Sequence, residues 1–423
     1  MRLRDRVRVR AAGVVVIVVA AMVSTSLAGV ESAGAARSVR GFDGSTITIG
    51  GMGMVALLPN AMVGAQARVK RFNDTNELKG IKLNLAEIAD DQRDPATALS
   101  EARRLVSQVG VFAVVPDISL NNPKDYLAQQ HVPYFGGGFD TTYCSPKPST
   151  SLWGYSVSGC TTPETPSFFM AYPTLYKYVS SKSGKKEPTI AIMSVDDSTG
   201  SNQARILAVR AQGSGFKVVS ATSNVPATGA VSDFTPYAKQ IMTADNGAAP
   251  DSVYCLLSAN CIGLYNLLGQ NGYKGAFLSP LFSDVLIKAI SGSAVTPNVI
   301  NPAESTAGYQ QIRADMDAYQ PGSSTKLDSG SIYAYASVDA FIQALKQVAK
   351  GGKSKITPDA VRKVASTMTW NLPGVMGPVE YPKATVMFYP SCNSVLESNG
   401  TKWVTAVPYT CTKKTVSPSS KAK

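Results

Sequence analysis

The sequence predicts an α/β protein with two doubly wound parallel-sheet lobes joined by a three-segment hinge. The chain has 423 residues, 44% of them hydrophobic, which is enough for a large core divided between two lobes. Short apolar strands alternate with helical segments of ten to fifteen residues, the pattern of a parallel sheet covered on both faces. A loop rich in Pro, Ser and Thr at about 141–166 interrupts the alternation, which then starts again.

The first lobe is predicted to be complete by about residue 140. Its clearest element is a helix over 94–109, which Asp94 can cap, Pro95 suits at the first turn and Gly110 ends. The other elements expected there are strands at 46–52, 81–88, 111–115 and 132–135 and a helix at 64–73.

The second lobe is predicted to repeat this arrangement. Strands are expected at 189–194, 216–222, 253–257 and 276–279, with helices at 203–212, 234–244, 262–270 and 283–291. A less regular segment then continues to Asp328.

The last part of the chain is predicted to return to both lobes. Helices at 332–350 and 358–368 are expected to pack on the first lobe, and strands at 385–389 and 403–407 on the second. The predicted domains are therefore 45–165 plus 329–375 for the first lobe and 166–328 plus 376–411 for the second. Three crossings of this kind make a hinge, with a cleft at the carboxyl ends of the strands.

Both ends of the chain are predicted to lie outside this fold. Five arginines precede the apolar run 14–23 and a stretch of small residues, which indicates a signal peptide over 1–35 and an extracytoplasmic location. Cleavage after Ala28 competes with the preferred cleavage after Ala35. An uncleaved anchor is disfavoured because the run falls short of the ~20 apolar residues that span a bilayer. Residues 412–423 are rich in Lys, Ser and Thr and are expected to be disordered.

The charge distribution argues against nucleic-acid binding. The formal net charge is +12, but the leader and the C-terminal tail hold much of it. The remaining basic residues are scattered and form no stripe with stacking aromatics.

Six cysteines in an exported chain predict disulfides rather than a metal site. The alternative of a metal is weak because His131 is the only histidine and no C-x-x-C pair exists. Asp90 and Asp91 fit a turn or cap better than a metal site. Of fifteen possible connectivities we favour the local one: Cys144 with Cys160, Cys255 with Cys261, and Cys392 with Cys411.

Two patterns with catalytic associations are better explained without catalysis. Gly51, Gly53 and Ala56 fit a dinucleotide-binding spacing, but the chain continues as a loop and Glu87 lies too far on, so we expect glycines that allow close backbone packing. His131 has no G-x-S-x-G partner for hydrolysis. No enzymatic activity and no metal or organic cofactor are expected.

An ordered set of segments carries a family resemblance over about 45–408. ITIG, AEIADDQRDPATALSEARRLV, VFAVVP and VPYFGG are followed by TIAIMSVDDSTG, DFTPYAKQI and YAYASVDAFIQAL. The set resembles the type I periplasmic binding proteins, in the Leu/Ile/Val-binding branch of ABC transporter substrate-binding proteins. This resemblance implies capture of a small ligand between the lobes and its delivery to a membrane permease. A sensory role for the same fold and an exported hydrolase are the alternatives.

The resemblance also implies a set of ligand-binding residues. By position these are Ser119, Gly138, Phe139 and Asp140 in the first lobe, Thr199, Ser258 and Asp284 in the second, and Tyr333 near the start of the third segment. Met54, Leu58 and Asn60 are expected to line the adjoining wall.

Two departures from the family pattern bear on the ligand. Leu281 follows Pro280 where amino-acid receptors have a carboxylate, and Asp140 stands where a neutral hydroxyl is usual. The expected ligand is therefore an amino acid or related small polar solute, but not a simple branched-chain amino acid. A buried carboxylate is costly without a partner, so Asp140 is hypothesised to select a ligand with a donor or positive group.

Overall fold

The structure is a computed structural model that describes residues 39–227, 231–257, 260–280 and 284–417, without the side chains of 284 and 285. The predicted signal peptide (1–35), the predicted ligand residue Ser258 and the last six residues of the predicted tail lie outside the described residues.

The described chain alternates strands and helices as the sequence predicts. The strands are β1 (Thr46–Gly53), β2 (Lys82–Asp90), β3 (Val114–Ile118), β4 (Tyr134–Gly136), β5 (Gly154–Ser156), β6 (Phe169–Met170), β7 (Thr189–Val195), β8 (Lys217–Val225), β9 (Ser252–Leu256), β10 (Ala276–Ser279), β11 (Ala294–Val295), β12 (Thr369–Leu372), β13 (Met376–Glu380), β14 (Ser391–Ser398), β15 (Trp403–Thr412) and β16 (Thr415–Val416). The helices are α1 (Ala61–Asp74), α2 (Pro95–Arg104), α3 (Lys124–Gln129), α4 (Pro173–Ser183), α5 (Ser198–Gln212), α6 (Thr235–Met242), α7 (Asn260–Gln270), α8 (Asp284–Ala289), α9 (Ala307–Tyr319), α10 (Ser329–Ala349) and α11 (Pro358–Ala365).

The first sheet has the order β2-β1-β3-β4-β5, and all of its neighbouring strands are parallel. The capping prediction for the second helix is confirmed, because the Asp94 carboxylate accepts a hydrogen bond from the Thr97 N–H at 2.7 Å. The helix continues as a π-helical turn, Leu105–Val109, and ends at Gly110 in the left-handed conformation (φ 73°).

The second sheet has the order β15-β14-β11-β10-β9-β7-β8. The strands from β7 to β11 are parallel, and β14 and β15 are added antiparallel at one edge. The two-sheet α/β prediction is thus confirmed.

The predicted strand over 385–389 is wrong, although the strand predicted at 403–407 is present within β15. Lys383–Thr385 form a 3-10 turn, and the strand begins only at Ser391. The Thr385 carbonyl accepts a hydrogen bond from the Ser145 N–H at 2.7 Å. It therefore binds a loop of the first lobe and is not part of a β-sheet hydrogen-bond ladder. Val386 and Met387 are buried in a cluster with Phe169 and Met170, which explains why this apolar run looked like a strand.

The segment that the sequence left irregular contains α9, which packs on helices of the first lobe. Its Asp315 accepts a hydrogen bond from the Tyr335 hydroxyl at 2.6 Å and lies 3.6 Å from the Arg71 guanidinium. Tyr335 belongs to α10 and Arg71 to α1. The structure therefore differs from the predicted second-lobe range 166–328, because α9 is held by first-lobe helices.

The helix α10 lies at the centre of the first lobe, as expected for 332–350. A Cβ on Gly64 of α1 would lie 2.1 Å from the Ser331 carbonyl oxygen, so the two helices approach to backbone contact. Further along, Arg68 of α1 binds Asp339 of α10 at 2.8 Å and Glu77 at 2.7 Å. None of the helices in the described ranges is both long and apolar enough to span a bilayer.

We predict opposite effects for alanine at two helical glycines. Gly64→Ala should lower the free energy of unfolding by about 1 to 3 kcal/mol, because the methyl group forces α1 away from α10. Gly269→Ala in α7 is the matched control: its Cβ would meet nothing within 4 Å, so the better helix propensity should raise the free energy by up to about 1 kcal/mol. Urea unfolding of both variants checks this, and equal effects would contradict the close packing.

The three predicted disulfides are present, and part of the predicted tail is ordered. The cysteines pair as Cys144–Cys160, Cys255–Cys261 and Cys392–Cys411. The structure differs from the prediction of disorder at 412–417, because β16 pairs antiparallel with β6. Lys413 also forms an ion pair with Glu380 at 2.6 Å. These contacts anchor the strand where composition alone indicated a free tail.

Candidate functional site

The chain passes between the two sheets three times, and two of the passages meet at Asn298. The first passage follows β5, and the second follows β11. The Asn298 amide donates a hydrogen bond to the Ser158 hydroxyl of the first passage. Its carbonyl oxygen accepts a hydrogen bond from the Tyr333 hydroxyl of α10. One amide therefore joins both passages to the central first-lobe helix.

The third passage, between β13 and β14, is bonded to the first. The Ala384 carbonyl accepts from the Cys160 N–H at 2.7 Å, and the Tyr381 hydroxyl donates to the Ser156 carbonyl at 2.7 Å. The second passage is bonded to the residue just before β13, because the Ile300 N–H donates to the Val375 carbonyl at 2.8 Å. The predicted three-segment hinge is thus a continuous hydrogen-bonded bundle.

Ser119 lies where β3 ends, but its hydroxyl already serves the protein. The side chain is buried, and its hydroxyl donates a hydrogen bond to the Asp91 carboxylate. The same oxygen accepts from the Asn121 N–H at 2.9 Å. Ser119 therefore fixes the loop after β3, and direct binding of a ligand by its hydroxyl stays a prediction.

Asp140 lies close to this loop, and its carboxylate is also occupied by protein donors. One oxygen accepts from the Thr142 N–H at 2.9 Å and from the Thr142 hydroxyl, and the other accepts from the Asn122 N–H at 2.9 Å. These bonds make Asp140 the cap of a 3-10 turn over Thr141–Tyr143. The structure gives it a loop-anchoring role, in place of the unpaired carboxylate that the ligand hypothesis assumed.

A third carboxylate, Asp117, was missed from the sequence. It lies within β3 and is 1% exposed. It accepts hydrogen bonds from the Tyr143 hydroxyl, from the Asn122 amide at 2.6 Å and from the Ser119 N–H at 3.2 Å. An acid inside the apolar run VFAVVPDIS was the available signal, because a charge in a buried strand needs dedicated partners.

Burial, together with the neighbouring Asp140 carboxylate, raises the pKa of the Asp117 carboxyl to about 8. Burial also raises the pKa of Asp140, against the opposing effect of the donors on Thr142 and Asn122. An aspartate in an unfolded chain has a pKa of ~3.9. Between about pH 4 and pH 8 the folded chain therefore keeps a proton on Asp117 that the unfolded chain has released. The stabilisation from this group is complete below about pH 4 and is lost as the pH rises to about 8.

We predict that Asp117→Asn makes the protein relatively more stable at high pH. The amide cannot ionise, so the free energy of unfolding of the variant should gain on wild type by up to about 1.4 kcal/mol per pH unit between pH 5 and pH 8. Asp125→Asn, at an exposed position on α3, is the control and should show no such gain. Urea unfolding at a series of pH values measures both, and parallel curves for Asp117→Asn and wild type would contradict this ionisation.

Phe139 and Tyr333 form an aromatic pair beside the hinge. Their rings meet edge to face with centroids 5.3 Å apart, and Phe139 remains partly exposed. Gly138 (φ 79°) precedes this pair, and its carbonyl accepts a hydrogen bond from the Thr161 hydroxyl. Four of the predicted residues, Gly138, Phe139, Asp140 and Tyr333, thus belong to connected elements of the first lobe and the hinge.

Of the predicted second-lobe residues, Thr199 and the backbone of Asp284 belong to the described part of the chain. Thr199 is exposed in the first turn of α5, where the Asp197 carboxylate accepts from the Gly200 N–H at 2.6 Å. Asp284 begins α8, but its side chain, like the whole of Ser258, lies outside the described residues. The structure therefore leaves the second-lobe half of the ligand set as a prediction.

The wall formed by the loop after β1 is mainly apolar. Leu58 packs on the start of α10, since a Cβ on Gly330 would lie 3.1 Å from the Leu58 Cβ. Asn60 instead donates a hydrogen bond to the Asp328 carboxylate at 2.7 Å, which commits its amide to the α10 cap. Leu57 is 58% exposed.

The two patterns with catalytic associations have structural roles. Gly53 (φ 146°) lies so close to β3 that a Cβ would be 2.3 Å from the Ile118 carbonyl carbon, which confirms the close-packing explanation. His131 is at the surface, where its Nδ1 lies 2.9 Å from an Asp359 carboxylate oxygen. In the described ranges no group of three or more His, Cys, Asp or Glu side chains is arranged to hold a metal ion.

A periplasmic binding protein family model matches residues 45–385, which include the first sheet, the hinge and most of the second sheet. The chain belongs to the periplasmic binding protein family. The predicted resemblance to its type I, solute-binding branch is confirmed. No curated protein matches this periplasmic binding protein by sequence.

Solved structures agree with the family assignment. An ABC transporter substrate-binding protein from Aeropyrum pernix superposes with a TM-score of 0.68 at 15% identity, covering 87% of this chain and 97% of that one. A branched-chain amino acid ABC transporter protein from Thermus thermophilus with bound valine gives 0.63 at 14% identity, covering 87% and 96%. A fatty acid ABC transporter substrate-binding protein from Thermomonospora curvata gives 0.65 at 14% identity, covering 89% and 95%. At these identities the similarity shows the shared fold.

Proposed function

We propose that this protein captures a small solute between its two sheets and delivers it to the permease of an ABC importer. The observation that carries the proposal is the hinge at Asn298, where one side chain contacts both Ser158 and Tyr333. Parallel α/β sheets bind ligands beyond the carboxyl ends of their strands, and a hinge lets two such edges meet around a solute. The family consists of substrate-binding proteins rather than enzymes.

The proposed mechanism is a population shift between open and closed arrangements. A ligand that contacts both lobes only in the closed arrangement stabilises that arrangement by its differential affinity. On the first-lobe side, the loop after β3 is held in place before binding by hydrogen bonds of Ser119, Asp117 and Asp140. The ligand therefore binds to a first lobe whose loop is already ordered, and it shifts the equilibrium position of the second lobe.

An extracytoplasmic location is part of the proposal. The family location, the predicted signal peptide over 1–35 and three disulfides all agree with an oxidising compartment outside the cytosol. We further propose that the leader is removed and that the permease recognises the closed arrangement.

We predict that a small solute co-purifies with the protein and closes it. Native mass spectrometry should show a mass excess that denaturation removes. Adding the released solute back to stripped protein should reduce the radius of gyration in small-angle scattering. Protein that yields no bound solute, and whose scattering no tested solute changes, would contradict the proposal.

We also predict that the Tyr333 hydroxyl influences closure. Tyr333→Phe keeps the ring against Phe139 but leaves the Asn298 carbonyl without this donor, a loss of about 1 kcal/mol for a part-buried hydrogen bond. The ligand-induced change in scattering should therefore differ from wild type. Tyr176→Phe, on α4, removes an exposed hydroxyl that donates to the Lys186 carbonyl, and it serves as control because Lys186 is outside the three passages. Identical scattering changes in both variants would argue against the hinge assignment.

A further inference from the structure

The loop 54–58 is an exposed apolar segment at the carboxyl end of β1. All five residues, MVALL, are apolar, and none of them is fully buried. Ala56 and Leu57 are exposed, and Leu57 has the largest exposed fraction among the large hydrophobic residues described, at 58%. Apolar surface left in water costs ~25 cal/mol per Å², so a cluster of this kind commonly marks a binding surface.

This loop and Phe139 pack on one face of the first turn of α10. Leu58 contacts Gly330, and Phe139 contacts Tyr333 three residues further on. Residues at positions i and i+3 of a helix lie on the same face. The exposed loop and the partly exposed Phe139 ring are therefore parts of one surface, which we call the apolar wall (residues 54–58 and Phe139).

The carboxylates near the strand ends are turned toward the protein backbone. Each accepts a hydrogen bond from at least one main-chain N–H: Asp90 from Gln92, Asp91 from Arg93, Asp117 from Ser119, Asp140 from Asn122 and Thr142, Asp196 from Ala227, and Asp197 from Gly200. On the first-lobe side Asp91, Asp117 and Asp140 are buried, whereas Asp90 is exposed at the end of β2. The loop 54–58 and Phe139 thus offer apolar contact, and the acids beside the first-lobe strand ends already accept hydrogen bonds from main-chain N–H groups.

We infer that the solute has an apolar acyl or aryl body and no ammonium group, and that this body lies against the apolar wall. The inference rests on the proposed solute-binding function and specifies its substrate class. An ammonium placed against this wall would be desolvated without a counter-charge, which is unfavourable. An α-amino acid is the competing occupant, and Asp90 at the end of β2 or Asp284 would then have to supply the carboxylate.

Two matched probes separate these occupants. Leucine and 4-methylpentanoate share a carbon skeleton and differ in the amino group, so their affinities report on the ammonium alone. Octanoate extends the apolar body. Isothermal titration of the full chain, stripped of co-purified solute, should give tighter binding in the order octanoate, 4-methylpentanoate, leucine. Leucine should bind at least tenfold more weakly than 4-methylpentanoate.

A surface charge in the wall provides the mutational test. Leu57→Asp should weaken octanoate binding at least tenfold and leave the midpoint of thermal unfolding unchanged, because the side chain is already exposed. Val404→Asp, at another exposed apolar position on β15, should keep wild-type affinity. Both results together support the apolar wall as the site of the ligand body.

Other outcomes overturn the inference, and they separate it from the proposed function. Leucine binding as tightly as 4-methylpentanoate, or Leu57→Asp retaining octanoate affinity within twofold, overturns the apolar-body class while solute binding stands. If neither 4-methylpentanoate nor octanoate binds, and native mass spectrometry finds a polar solute, the apolar-body class is likewise overturned while solute binding stands. If no probe binds and no solute co-purifies, both the apolar-body inference and the proposed solute-binding function are overturned.

Discussion

The arrangement of this protein depends on the contact of two passing segments with α10 around Asn298. A single amide receives the Tyr333 hydroxyl and donates to Ser158, so the first two passages share their position with α10. The position of α10 depends in turn on α1, because Gly64 lets the two helices touch at the backbone and Arg68 bridges them through Asp339. A contact between two helices of one lobe thus determines where the chain can turn toward the other.

The charged groups beside the first-lobe strand ends also have a structural role. Asp91, Asp117 and Asp140 are buried, and together they hold the segment from Ser119 to Asn122 from beneath. Backbone N–H groups that would otherwise be unsatisfied at strand ends find partners there. The first-lobe wall is consequently preorganised, which lowers the ordering cost of binding. The buried acids therefore contribute rigidity to the loop after β3.

Much of the fold could be predicted because alternation of strands and helices is a local signal repeated many times. The helix after Asp94 was predicted correctly from its local capping and apolar pattern. The three disulfides were predicted correctly from the short sequence spacing of the cysteines. The misses have physical causes. Helix α9 is polar except for a narrow buried stripe, Tyr309, Ile312 and Met316, and it is fixed by Asp315 bonding to residues on two distant helices. The apolar run at 385–389 was buried by packing, which strand propensity does not distinguish from a ladder.

The site was harder to predict than the fold because a side chain's partner decides its role. Ser119 and Asp140 were placed correctly at the strand ends, yet their donors and acceptors are satisfied by Asp91, Thr142 and Asn122. Asn298 has no motif around it, since its importance comes from residues about 140 positions before it and 35 after it. Met54, Leu58 and Asn60 were predicted to line the adjoining wall, and this stays a prediction, although the Asn60 amide already binds Asp328.

The C-terminal segment adds a constraint that the family model, which ends at 385, does not include. Strand β15 is joined to β14 by Cys392–Cys411, and β16 then pairs with β6 beside the first passage. Lys413, between β15 and β16, reaches back to Glu380, the last residue before the third passage. The segment 413–416 thus binds residues that border two of the three hinge passages. Rotation of one sheet against the other must preserve these bonds or break them, so the segment limits which part of each passage can bend.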